Sequence, residues 1–183
     1  MKYIKNRLFI NDLYNVTIIE ENEPRKVGAK MRILIDGDAC PVIDLTLKIA
    51  KLYKLEVIIF CDTAHFIERD GIQVVTVSKG SDAVDFKIMN GIKRQDILVT
   101  QDYGLAAMAL AKMAQPIHQN GFIYTEGNID QLLFRRHLGK EARRRGGRLK
   151  GPGKRTKEQD EAFEKSLTLL IEKSLNGEGI GQE

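Results

Sequence analysis

The 183-residue chain predicts an α/β fold built on a central, mostly parallel sheet. Three observations carry that reading. Short apolar runs rich in β-branched residues recur along the chain, and unbroken runs of this kind suit strands covered on both faces. Segments of helical period alternate with them, the order expected of strand–helix–strand units. The composition, 43% hydrophobic and 30% charged, gives one domain of ordinary size enough apolar material for a core.

Met1 to Lys30 is polar and irregular, with short apolar patches at Leu8–Ile10 and Val16–Ile19. It reads as an N-terminal extension, either a flexible, disordered segment or a stretch upstream of the start that function uses. The α/β domain is expected over 31–145. Arg32 to Asp36 (RILID) is its first strand, and Pro41 suits the first turn of the helix that follows over Val42–Tyr53. Leu55–Cys61 is the second strand and Ile72–Val77 the third. Ser81 or Asp82 can cap a helix running to about Gly91. Ile97–Thr100 is the fourth strand, Asp102–Met113 an Ala- and Leu-rich helix, and Phe122–Tyr124 a short fifth strand. Thr125 or Asn128 then starts a helix to about Arg145. The last part, 146–183, reads as a basic, glycine-rich loop followed by a helix over Lys157–Leu175, capped by Thr156. The apolar face of that helix is Phe163, Leu167, Leu170 and Ile171, and it packs on the domain or on a partner.

No apolar run approaches the ~18–20 residues that cross a bilayer. The N-terminus lacks the apolar stretch and cleavage site of a secretory signal, and two cysteines make no disulfide scaffold. The expected location is the cytoplasm, with no membrane partner.

The net charge of +4 hides a segregation. Eleven of the 29 Lys and Arg lie between Arg135 and Lys157, opposed there by Glu141 alone, so the rest of the chain is net −6. Arg135, Arg136, Lys140, Arg143, Arg144, Arg145, Arg148, Lys150, Lys154 and Arg155 are therefore candidate nucleic-acid contacts, with RNA the expected partner. Such a block attracts a phosphate backbone by releasing its condensed counterions. The plainer reading is a solvated helix face and a linker.

Ligands of parallel α/β sheets gather beyond the carboxyl ends of the strands, and acids stand there. Asp36 ends the first strand, Asp38 follows two residues later, and Asp102 lies just past the fourth. Asp82 and Asp85 open the helix after the third strand, three residues apart and so on one face. If the first and fourth strands are neighbours, these carboxylates share a cleft. One such pair at ~4 Å costs about 4 kcal/mol at an effective dielectric of ~20. A hard divalent ion, Mg2+ or Mn2+, would relieve that repulsion. It would also lower the pKa of bound water and stabilise phosphodiester hydrolysis. Each acid has a plainer role as well: an Asx-turn for Asp38, helix caps for Asp82 and Asp102, and a strand end for Asp36. Asp36 and Asp102 are the candidate catalytic residues, and Asp36, Asp38, Asp82, Asp85 and Asp102 the candidate metal ligands.

Other residues are less specific. Cys40 and Cys61 without a histidine pair make a weak zinc site, and Cys61 suits buried packing. His65 follows the second strand on the ligand side, where it is a loop histidine or a metal or phosphate contact. His118 and His137 have no carboxylate at useful spacing. Lys79 and Lys87 suit salt bridges or a phosphate. Thr100 suits a turn, or orients Asp102.

DGDACPV, SKGSDAVDFKI and LVTQDYGLAAMAL resemble the uncharacterised bacterial YaiI/YqxD family over about Met31 to Leu175. The fold of that family is similar to PIN-like nuclease domains, which implies a three-layer sandwich. By that resemblance Asp36 matches the acid at the end of the first PIN strand. Asp82 or Asp85 matches the acid on the helix before the fourth strand, and Asp102 the acid of T-x-D. The chain departs from active PIN nucleases at the Glu that many carry between the first and third acids, for which Glu68 is a weak candidate.

The leading expectation is a metal-dependent ribonuclease. A non-catalytic RNA- or ribosome-associated module is the alternative. A lesser one is a haloacid-dehalogenase-like phosphatase, because RILIDGDA resembles the D-x-D loop of those enzymes, although KGSDAVD precedes ILVTQD and the expected motif order is not kept.

Overall fold

A computed structural model describes residues 31–65, 67–78, 80, 82–144 and 153–176, without the side chains of Lys140, Ala142 and Arg143. The expected extension 1–30, Lys79, Ser81, Arg145, Arg148 and Lys150 lie outside the described residues.

The elements run β1 (Arg32–Asp36), α1 (Ile43–Tyr53), β2 (Glu56–Asp62), β3 (Gln73–Val77), α2 (Ala83–Gly91), β4 (Ile97–Val99), α3 (Tyr103–Ala111), β5 (Gln115–Ile117), α4 (Glu126–Arg144) and α5 (Lys157–Leu175). The sheet has five strands in the order β3-β2-β1-β4-β5. All of its pairs are parallel. β1 lies at the centre, in register with β2 (Ile35↔Ile59) and β4 (Ile35↔Val99). Buried on both faces, its Ile33, Leu34 and Ile35 explain the unbroken apolar run.

Alternate residues of the strands enter opposite layers. Ile33, Ile35, Val57, Ile59, Ile97 and Val99 meet α1 and α5 on one side. Leu34, Ile58, Phe60 and Leu98 meet α2 and α3 on the other. The result is a three-layer α/β/α sandwich. α4 lies outside α3, joined through Ala106, Tyr124 and Ile129. The apolar face of α5 closes on the domain itself: Phe163, Leu167, Leu170 and Ile171 are all buried in the α1-side core. Burying a side chain of this size contributes about 1.5–3 kcal/mol. Thr156 and Gln159 form a reciprocal capping box at the start of α5. Gly121, at φ +82°, presses so close to α5 that a Cβ there would lie 2.5 Å from the Ala162 backbone.

The fifth strand is not where the sequence places it. It is Gln115–Ile117, with a proline in the middle. As an edge strand it tolerates the missing N–H of Pro116. The more apolar Phe122–Tyr124 instead folds back, where Ile123 makes an isolated antiparallel bridge to Ile117.

Candidate metal and nucleic-acid site

β1 connects to β2 on one side of itself, while β4 pairs on its other side, so the crevice beyond the carboxyl ends of β1 and β4 is the topological switch point. Asp36 ends β1 at that crevice, and Asp102 caps α3 just after β4. Gly37 follows Asp36 and is wedged against β2: its N–H donates to the Phe60 carbonyl at 2.7 Å, and a Cβ there would lie 2.9 Å from that oxygen. A side chain at this position would push the loop carrying Asp38 off the sheet.

One hydroxyl links the two principal acids. Thr100, buried, donates from Oγ1 to Asp36 Oδ2 at 2.8 Å, and the same Oγ1 accepts from the Asp102 backbone N–H at 3.0 Å. Burial pushes the Asp36 carboxyl up to about 6 against the opposing pull of the Thr100 hydrogen bond, and the charges of Asp85, Asp38 and Asp102 add to the rise. Asp85, on the first turn of α2, is also raised, by burial and then by Asp102 and Asp82. Asp102 goes the other way. Its partial burial is outweighed by Arg136 and by the N–H groups of Leu105 and Gly104, so its carboxyl is held low. The Arg136 pairing is bidentate, Nη1 to Oδ1 and Nη2 to Oδ2, each at 2.9 Å.

Four of the five acids singled out in the sequence thus act on one another: Asp36, Asp38, Asp85 and Asp102. Asp82 stands apart, exposed at the left-handed N-cap position of α2 and making no side-chain cap bond. Its charge is felt at Asp85. A small pocket beside Asp36 and Asp38 is lined also by Cys40, Val99, Thr100, Gln101 and Gln119. The two glutamines carried no sequence signal. Burial pushes the Cys40 thiol up to about 11, which keeps it protonated and unreactive at neutral pH. Cys61 is buried, 3.8 Å from the Thr76 hydroxyl. Glu68 is exposed in the β2–β3 connection.

Asp62, the last residue of β2, is an acid the sequence reading passed over. Its backbone N–H donates to Asp38 Oδ1 at 3.1 Å, and its Oδ1 lies 2.9 Å from His65 Nδ1. The available signal was an acid closing an apolar strand, the same signal that marked Asp36.

The basic residues divide by duty. Arg136 reaches into the acidic crevice. Arg155 is half-buried and builds structure: Nε meets Asp160 at 2.6 Å, Nη1 meets Asn120 Oδ1, and Nη2 donates to the Gln119 and Gln159 carbonyls. Arg135 and Lys154 are exposed, as is Arg144, which lies 3.8 Å from Glu141. The side chains of Lys140 and Arg143 lie outside the described residues. No helix among the described residues is long and apolar enough to cross a membrane.

Residues 34–173 match the family model described as "Uncharacterized BCR, YaiI/YqxD family". The chain is 54% identical over 141 residues to a UPF0178 protein of Exiguobacterium sibiricum, covering 77% of this chain and 96% of that one. It is 52% identical over 147 residues to one of Ruminiclostridium cellulolyticum, covering 80% and 96%. A third, of Alkaliphilus oremlandii, is 46% identical over 145 residues, covering 79% and 94%. No solved structure matches.

Proposed function

The chain belongs to the YaiI/YqxD family, and on that premise we propose that it hydrolyses RNA phosphodiesters with Mg2+ or Mn2+. The observation that supports this most is the meeting of Asp36, Asp38, Asp85 and Asp102 at the switch point of the sheet. The donor set fits a hard divalent cation: it is all oxygen, it carries several negative charges, and Asp36 is desolvated. Of the two acids on the α2 side, Asp85 is the one that Asp36 and Asp102 act on, so it is the better match to the helix acid of PIN-like nucleases.

When bound, such a cation supplies positive charge to the phosphoryl oxygens and acidifies water. Asp36, Asp85 and Asp102 would hold it, with Asp38 in support. Thr100 fixes the orientation of Asp36 through its hydroxyl and of the Asp102 backbone through the same oxygen. Asp36 would have to be deprotonated to serve as a ligand, so affinity for such a cation would rise with pH through about 6. Arg136 lies at the acidic crevice, paired with Asp102, and its planar fork would suit a phosphate as well as it suits that carboxylate. Arg135, Arg144 and Lys154 are exposed, and their charge would add attraction for an RNA backbone.

The test is purified protein with labelled RNA and Mn2+. Asp36→Asn and Asp102→Asn are expected to lower the cleavage rate by about 100-fold or more, as removal of one electrostatic stabiliser does. Unchanged cleavage in both variants removes the assignment. The capped and paired state of Asp102 favours a second reading, a non-catalytic RNA- or ribosome-associated module. That reading expects salt-sensitive RNA binding with no turnover.

A further inference from the structure

The carboxyl end of β2 holds a group of ligand atoms of which the hydrolytic reading uses Asp38 alone. Asp38, Asp62 and His65 each offer one ligand atom, all within 4.8 Å of one another. His65 Nδ1 lies 2.9 Å from Asp62 Oδ1 and 3.2 Å from Asp38 Oδ1. If that nitrogen carries a proton, a single N–H must serve two anionic oxygens. If it carries a lone pair, it faces two negative charges. A cation among the three satisfies the lone pair and both carboxylates together.

The ligands are held in place beforehand. Asp38 Oδ1 accepts from the Asp62 N–H, and Asp62 Oδ1 accepts from the N–H groups of Ala64 and His65. The side chains of Asp38, Asp62 and His65 keep 29%, 19% and 48% of their exposure, so an ion can reach them from solvent. A mixed set of one imidazole and two carboxylates selects borderline transition ions over Mg2+. Three protein ligands also leave coordination positions for water or an anionic oxygen.

We propose that Asp38, Asp62 and His65 form a second cation site, selective for a transition ion such as Zn2+, next to the Asp36–Asp85–Asp102 crevice and sharing Asp38 with it. The proposal does not rest on hydrolysis, because neither Asp62 nor His65 belongs to the hydrolytic set.

Calorimetric titration of the full chain, stripped of metal, with Zn2+ and separately with Mg2+ tests it. Wild-type protein is expected to bind Zn2+. His65→Ala and Asp62→Asn are expected to weaken that binding by at least the about 10–100-fold that losing a ligand's outer partner costs. His65→Ala should leave Mg2+ binding unchanged, and Asp36→Asn should leave the Zn2+ event in place. Thermal unfolding confirms that each variant is folded, and the exposed His65 ring makes its removal mild. Absence of Zn2+ binding overturns the proposal. So does Zn2+ binding that survives both His65→Ala and Asp62→Asn, as binding at Cys40 or another histidine would. Loss of RNA cleavage in Asp36→Asn alongside intact Zn2+ binding supports both readings. Intact cleavage in both Asp36→Asn and Asp102→Asn, with Zn2+ binding that depends on His65, removes the hydrolytic reading alone.

Discussion

The two ends of the β1–β4 pair treat negative charge in opposite ways. At the amino end, Asp96 is fully buried and surrounded by donors. It accepts from the Arg32 backbone N–H at 3.1 Å, from Arg32 Nη2 at 2.6 Å and from the Lys93 N–H at 2.9 Å. Arg32 in turn donates to the Gly91 carbonyl, which ties the end of α2 to the sheet. At the carboxyl end, Asp36 receives the Thr100 hydroxyl and faces three other acids. The amino end is a compensated clamp that stabilises the fold. The carboxyl end sets several acids against one another, and the proposed cation site rests on that arrangement.

The largest expected effect tests the clamp. Arg32→Met removes the guanidinium that pairs with a buried carboxylate, and breaking a buried pair in this way costs about 3–5 kcal/mol. Urea unfolding measures it. A loss below about 1 kcal/mol would erase the contrast between the two ends.

The next effect tests the crevice through pH. Asp36 is raised from 3.8 to about 6 in the folded protein, so the fold holds its proton more tightly than the unfolded chain does. The associated stability is fully present below about pH 4 and is lost as pH rises through about 6, and the shift corresponds to roughly 3 kcal/mol at most. Metal-free protein should therefore lose part of its stability across that window. Asp36→Asn should flatten the loss, and saturating Mg2+ should oppose it. Asp102, held low, works in the opposite sense and trims the net change. Denaturation series between pH 4 and 7, with chelator for wild type and Asp36→Asn and with saturating Mg2+ in place of chelator for wild type, read all three. A wild-type profile that matches Asp36→Asn would mean that Asp36 is not desolvated.

The smallest effect concerns the residue that borders both roles. Arg136 is half-exposed, so Arg136→Ala is expected to cost about 1 kcal/mol or less in stability. Removing this positive charge from Asp102 and Asp85 should strengthen Mn2+ binding severalfold while weakening RNA binding at low salt. Weaker Mn2+ binding in the variant would mean that Arg136 orients Asp102 rather than competing for it.

Much of the framework was readable from local pattern. Arg32–Asp36 and Lys157–Leu175 have the bounds expected of them, because the first is an uninterrupted β-branched run and the second combines a capping box with a sustained helical stripe. β5 was not readable. Three residues with a central proline give no period, and the apolar Phe122–Tyr124 nearby gave a stronger but misleading one. At the site, Asp36 and Asp102 stood out because the first ends an apolar strand and the second lies just past one. Choosing Asp85 over Asp82 required the docking of α2 on the sheet. Finding Arg136 beside Asp102 required the packing of α4 against α3, across 34 residues of chain.

Periodicity, caps and strand-ending acids are properties of neighbouring residues, so the chain alone was enough to set the α/β class, most element positions and the presence of acids at strand ends. Which charges meet was decided by strand order and helix docking, which depend on apolar faces far apart in sequence. Electrostatic coupling follows distance in space. Asp36, Asp85 and Asp102 therefore become one acidic crevice, and Arg155 a brace, only once β1 lies beside β4 and α5 closes on the sheet.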